Sequence, residues 1–468
     1  MSKYPRNSIF VDAKYDEQKV NAYKNNPLIE AIPMFEESKD IYNLLNNPLP
    51  FQKDEKEQPA LIRRRCLTQL TQFFRPLGFH MDMAENIINV LYHGYENRNP
   101  LSNEYVKRLN GLAKCAKEHE TDYSRFIGTN AETSGFSIIG MTGMGKTSCV
   151  NRVLTGIPQV INHLKYKNQD FPHMQITWMQ IECPFDGSVK GLCGKFLEKF
   201  DEITNDNTFK KYADSPRTTT DSMMSKMASI AARHSLGLLI IDEFQNISQA
   251  KSGGKQQMMN YILNLVNTIG VPVILIGVGE AINTISENLM YARRTMGFIG
   301  NATITNLQIF SSDWERFIKE LWKYQWTKTG TPLTSELNAA IYLASAGIIG
   351  EAVKIFNLAQ KKIITDDPTK EEILTVDLIS KAYFSKEYEV ERELIEENIR
   401  RGEIKIDALS QQKQHKNENS KKMNNNKKSE YSNGDAFPET IPRTNSEFHS
   451  KIAEYIENNK IGSKPILT

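Results

Sequence analysis

The chain has 468 residues, enough for two to four units of ordinary size or one large domain with extensions. Hydrophobic residues make up 40% and charged residues 24%, and the longest apolar runs, LGLLII and VPVILIGVG, fall far short of the ~20 residues that cross a bilayer, so a soluble chain with no membrane partner is predicted. The net charge of +2, from 58 basic and 56 acidic residues, neither demands nor excludes nucleic acid, and any basic surface has to be local.

The N-terminus MSKYPRNSIFVDAKYDEQK lacks an uninterrupted apolar core and the Arg-rich, acid-poor composition of a transit peptide, which points to a cytoplasmic protein. Residues 1–60, with scattered Pro and Asn around NPLIEAIPMFEESKDIYNLL, read as a small helical or partly extended arm. A helical extension follows over 61–130. There ALIRRRCLTQLTQFF places Leu61, Cys66, Leu67, Leu70 and Phe73 or Phe74 near one face before Pro76 and Gly78 break the period, and a second helix runs from Asp82 through Tyr92. His80 and His93 beside that helix read as surface or capping residues. Five cysteines, Cys66, Cys115, Cys149, Cys183 and Cys193, are widely spaced without a CxxC pair, which argues against a disulfide framework and a zinc site.

From Phe136 short apolar runs alternate with helical stretches, the pattern of an α/β core with a parallel sheet, here spanning 131–310. The predicted strands are FSIIG (136–140), MQITWMQIE (174–182), LGLLIID (236–242), VPVILIG (271–277) and ATITNLQIF (302–310), apolar enough to be buried on both faces. A helical lid is predicted over 311–400. In the tail, 401–468, the stretch QQKQHKNENSKKMNNNKKSE cannot bury enough surface to offset its ordering entropy, whereas SEFHSKIAEYIENNKI regains a helical period and suits a short docking element.

Gly140 to Thr147 reads GMTGMGKT, a GxxxxGK[ST] loop (Walker A) between a predicted strand and a predicted helix. Glycines 140, 143 and 145 let successive N–H groups face phosphates, so Gly140, Met141, Thr142, Gly143, Met144, Gly145, Lys146, Thr147 and the following Ser148 form a candidate ATP cradle, with Lys146 on the phosphates and Thr147 on Mg²⁺. LGLLIIDEF supplies the matching strand that ends in acids (Walker B). Asp242 is the candidate Mg²⁺ ligand and Glu243 the candidate group that polarises an attacking water, the plainer alternative for Glu243 being a cap or ion pair at a helix start. Arg293 and Arg294 close a helical stretch before the last strand. They suit either an arginine finger reaching a neighbouring subunit or a solvated pair favoured by a helix C-terminus. The insert between the second strand and the Asp-Glu strand offers Lys190, Lys195, Arg217 and Thr218 to a phosphate backbone, or simply to solvent.

Together, FFRPLGFHMDM with HGYENRNPL upstream, GMTGMGKT, ECPFDGSVKGLC, and LLIIDEFQN with GVGEA and ARR resemble the TnsC/TniB family of AAA+ ATPases, which regulate transposition in Tn-seven-like transposons. The similarity spans about 60–360. It implies a bacterial ATPase that oligomerises as a ring or filament on duplex DNA and links a target selector of TnsD/TniQ type to transposase subunits of TnsA/TnsB type. It further implies Arg293 or Arg294 as the finger acting in trans, a DNA-facing insert around Lys190 and Thr218, GYENRNPL near the nucleotide, and partner-binding ends. Two departures stand out. Gly277, Val278 and Gly279 end the fourth strand without a polar sensor side chain, and Glu351 stands where the lid of such proteins often has a basic residue, with Lys354 one turn on. The alternatives are a replication initiator or helicase loader, a scaffold that binds ATP without hydrolysis, and a small-molecule kinase, the last weakened by the adjacent acids.

Overall fold

The computed structural model describes residues 3–118, 135–212, 218–250, 253–264, 270–279, 302–401 and 442–459, with residues 266 and 404. The strands, in chain order, are β1 (Phe10–Asp12), β2 (Phe136–Gly140), β3 (Val160–Tyr166), β4 (Gln169–Ile176), β5 (Trp178–Glu182), β6 (Leu238–Asp242), β7 (Val273–Gly277) and β8 (Ala302–Ile304). Five of them form a parallel sheet of order β5-β6-β7-β2-β8. Strands β2, β6 and β7 are buried along their whole length, as aliphatic runs covered on both faces must be. Because β2 lies between β7 and β8, the chain leaves it toward one edge of the sheet and fills its other side only at the end. That arrangement opens a crevice at the carboxyl end of β2.

The chain divides into two units, each assembled from separated segments. The first takes residues 1–45, 78–142 and 146–304, the second 46–77, 143–145 and 305–468. Within the first, helices Val189–Thr204, Thr220–Arg233 and Gly254–Asn264 cover one sheet face, burying Leu192, Phe196, Met223, Met227 and Ile262 against Met179, Ile181, Leu239, Ile241 and Leu275. The segment read as a basic insert is therefore largely a crossover whose apolar side belongs to the core. Helix Gly78–Glu96 packs against β6, β8 and helix Lys146–Thr155. It is longer than predicted, and His80, read as a surface or capping residue, is fully buried within it.

The predicted strand 174–182 is two strands in two sheets. At buried Thr177 the chain passes from one to the other. Its N–H donates to Gln159 O at 2.9 Å and its carbonyl accepts from Leu238 N–H at 3.0 Å. Strand β4 pairs antiparallel with β3, and β1 adds parallel to β3 with Phe10 opposite Val160. The two-residue turn of the β3–β4 hairpin, Lys167-Asn168, has φ of 47° and 64°, the left-handed pair that matches strand twist. The N-terminal arm is built into this unit. Leu28, Ile29, Ala31 and Ile32 are fully buried, the Asn26 side chain donates to Tyr95 O at 2.9 Å, and Tyr92 donates to Pro33 O at 2.9 Å.

The second unit is helical, with Ala60–Cys66, Ser312–Leu321, Ser335–Ser345, Ile349–Ile363, Val376–Tyr383, Glu389–Arg400 and Asn445–Asn459 as its main helices. Ser311, Thr334 and Thr375 each accept an N–H from the residue three places on, the hydroxyl N-cap that starts a helix. On the first of these helices the expected apolar face is corrected. Leu61 is 60% exposed, and it is Arg63 that is buried. All five guanidinium donors are used, on the carbonyls of Gln58, Trp326 and Thr365 and on both oxygens of Glu372, whose remaining lone pairs accept Thr365 and Lys328 N–H groups. Only the first three residues of the predicted strand 302–310 pair in the sheet. The C-terminal helix docks within this unit through Phe448, Ile452 and Tyr455, with Tyr455 stacked on Phe310. Among the described residues no single helix is long and apolar enough to cross a membrane.

Candidate nucleotide-binding site

The loop after β2 turns through Gly143 and Gly145 at φ of 83° and 78°, values that side-chain-bearing residues rarely adopt. Met144 between them is fully buried and anchors the turn. Helix Lys146–Thr155 starts at its end, so the first N–H groups of the helix face the crevice. Lys146 is only 8% exposed, and its Nζ donates to Gly140 O and Met141 O, both at 2.8 Å. Burial pulls its pKa down to about 8, against the opposing pull of Asp242 and Glu243. A buried ammonium that touches only neutral carbonyls has unspent capacity for an anion. Thr142 and Ser148 are exposed along the same loop and helix start.

Strand β6 brings its carboxylates to the same edge. Thr147 Oγ1 donates to Asp242 Oδ2 at 3.2 Å, and Asp242 Oδ1 accepts Glu243 N–H at 2.8 Å. Burial raises Asp242 above the usual carboxylate range, opposed by the Glu243 N–H and Thr147 hydrogen bonds. Such a carboxylate, one bond from a threonine hydroxyl, suits a divalent cation carried on phosphate oxygens. Glu243 is exposed and sits at φ 53° and ψ 38°, in the left-handed region that a non-glycine residue seldom occupies. The loop residues, Lys146, Thr147 and Asp242 thus fit a magnesium-nucleotide, with the exposed Glu243 next in the chain. Glu182, opposite Asp242 in register, adds a further exposed carboxylate that the sequence reading did not single out.

Other candidates fall elsewhere. Lys190 is exposed on the first turn of helix Val189–Thr204, Lys195 pairs with Glu198 at 3.5 Å, and Thr218 lies just ahead of helix Thr220–Arg233. Arg217, Arg293 and Arg294 lie outside the described residues. The expectation that GYENRNPL lies near the nucleotide is corrected. Tyr95 donates to Ser235 O at 2.8 Å and Arg98 to Leu236 O at 2.5 Å, carbonyls that precede β6, whereas Asp242 ends it. In the second unit, burial raises the Glu351 carboxyl, with Tyr388 and Lys354 opposing, and Lys354 itself is paired with Glu391. Gln245 and Asn246, two amides following the acidic pair, were legible as letters but not as contacts. Gln245 bonds Glu243, and Asn246 Nδ2 donates to Cys183 O at 3.1 Å.

A family model described as an AAA domain matches residues 132–285. No curated protein matches the chain. Among solved structures, the Walker-type ATPase PABY2304 of Pyrococcus abyssi is similar over 63% of this chain and 75% of that one, at 13% identity and a TM-score of 0.33. The fold of the part of the chain that this model matches is that of a P-loop AAA+ domain with a parallel sheet.

Proposed function

We propose that the protein hydrolyses ATP as a timing device, assembling on duplex DNA in its ATP-bound form and linking a target-selecting protein to a transposase, as a member of the TnsC/TniB family would. The observation that carries the nucleotide part is the buried Lys146 ammonium on the loop carbonyls, one residue from the Thr147–Asp242 pair. Lys146 binds phosphate oxygens by turning its donors from Gly140 O and Met141 O. Thr147 and Asp242 are the residues that would hold Mg²⁺, which when bound neutralises charge on the phosphate oxygens. Glu243, exposed at the carboxyl edge of the sheet, orients the attacking water and accepts its proton. Arg293 or Arg294 from a neighbouring copy completes the site, and this makes assembly depend on the nucleotide.

The DNA and partner roles rest on the sequence resemblance and on Lys190, Arg217 and Thr218 as candidate phosphate contacts. Electron microscopy of the full chain with duplex DNA and a non-hydrolysable ATP analogue tests the assembly. Rings or filaments with the analogue and monomers without nucleotide are expected. Monomers in both conditions refute it, and binding to a replicative helicase instead of transposase subunits moves the protein to the loader class.

A further inference from the structure

Strand β6 is flanked by β5 and β7, and the loop after it is tied to the carboxyl end of each neighbour by an amide side chain. Asn246 Nδ2 donates to Cys183 O, just past β5, at 3.1 Å. Gln245 Oε1 accepts from Val278 N–H, just past β7, at 3.3 Å, while Gln245 Nε2 donates to Glu243 Oε2. Just ahead of them Phe244 is buried in the core, a further anchor for the loop. Glu243, held in a left-handed conformation, is thereby fixed at its backbone by the strand end and at its carboxylate by Gln245.

We infer that Gln245 is a positioning residue that aims Glu243 and ties its aim to the end of β7. This rests on Glu243 being the group that acts on the attacking water. The end of β7 carries no polar side chain, only Gly277, Val278 and Gly279. Gln245 supplies the missing link from the neighbouring strand, reading a backbone N–H with one amide atom and holding the carboxylate with the other. The amide takes one acceptor site on Oε2, and the other lone pairs of the carboxylate remain for water. A displacement of Val278 is passed to Glu243 through one rigid amide plane.

Steady-state turnover of the full chain with Mg-ATP, together with the Kd of a fluorescent ATP analogue, tests this in four variants. Gln245→Met keeps the volume and removes both bonds. Its kcat should fall about ten- to a hundred-fold, the effect of losing one hydrogen bond to a charged group, with KM and the analogue Kd within about twofold of wild type. Gln245→Glu keeps an acceptor for Val278 N–H but sets a carboxylate against Glu243, and should lose at least as much. In a Glu243→Gln background, Gln245→Met should cost nothing further, because it acts through Glu243. Wild-type kcat in Gln245→Met, or losses that multiply in the double variant, overturn the inference while leaving the ATPase reading intact. Full turnover in Glu243→Gln alone overturns the role of Glu243, and the inference with it.

Discussion

In the proposed nucleotide site Lys146 is the residue set on the phosphates, and its surroundings make that measurable. Its free-site pKa of about 8 means that the ammonium is present at neutral pH and is lost as pH rises. Anionic phosphates favour the charged form, so the bound value lies above the free one. Below about pH 8 both states carry the proton and affinity is flat; above it, binding takes up a proton and Kd weakens by up to about tenfold per pH unit until the bound value is passed. A fluorescent ATP analogue titrated at saturating Mg²⁺ between pH 7 and 9.5 should show this decline in the wild type. Lys146→Ala should bind weakly throughout without the decline, and a flat wild-type profile refutes the assignment. A second single position is governed by space alone. A Cβ on Gly94 would stand 2.4 Å from Pro272 Cγ and 2.8 Å from its Cδ, a ring that cannot turn aside. Gly94→Ala should therefore cost about 1–3 kcal/mol, read as a lower denaturant midpoint. The loop residues were legible because phosphate binding requires those letters at that spacing on a contiguous stretch. Gln245 was not, because its role exists only once β6 and β7 lie side by side.

At the scale of elements, the sheet strands were readable from unbroken aliphatic runs, and the exceptions have physical causes. The β3–β4 hairpin went unread because VINHLKYKNQDFPHMQI mixes buried His163 and Gln175 with exposed Leu164, so polarity does not track burial. His163 is satisfied by Tyr15 at 2.8 Å and Gln175 at 2.9 Å, partners supplied by other strands and the arm. Arg63 inverts the helix Ala60–Cys66 in the same way. Its acceptors come from residues 58, 326, 365 and 372, so no local pattern announces it. Removing it leaves a buried carboxylate unmatched. Arg63→Met should destabilise the second unit by about 3–5 kcal/mol, whereas Arg63→Met combined with Glu372→Met should recover most of that. The pH dependence has a definite sign. Burial alone would raise Glu372, but Arg63 and the two N–H donors hold it below its ordinary value, so its contribution is complete above its unfolded pKa and is lost as pH falls through the folded one. The gap between wild type and Arg63→Met, measured by denaturant unfolding, should be widest near neutrality and shrink on acidification. A constant gap would mean that packing, not charge, sets the cost.

For the whole molecule, charge balance constrains how the proposed assembly would hold DNA. With 58 basic against 56 acidic side chains, net charge supplies almost no attraction to DNA, and an exposed lysine such as Lys190 would contribute its own phosphate contact. One copy with a few such contacts binds weakly. In the proposed assembly, copies joined through their nucleotide sites would present the same few contacts repeatedly, each added contact being made at high effective concentration. Two dependences follow for the nucleotide-bound state. Affinity should rise steeply with duplex length, because a short duplex engages too few copies. At fixed length log K should fall linearly with log salt, with a slope of about −0.9 per phosphate neutralised. Lys190→Ala should weaken binding similarly on unrelated sequences and reduce that slope by about one per copy engaged, leaving the Kd of an ATP analogue unchanged. Fluorescence anisotropy on duplexes of graded length and unrelated sequence, at several salt concentrations, measures all of these. A slope that Lys190→Ala leaves intact removes that lysine from the DNA surface, and affinity independent of both length and nucleotide removes cooperative assembly as the source of the grip.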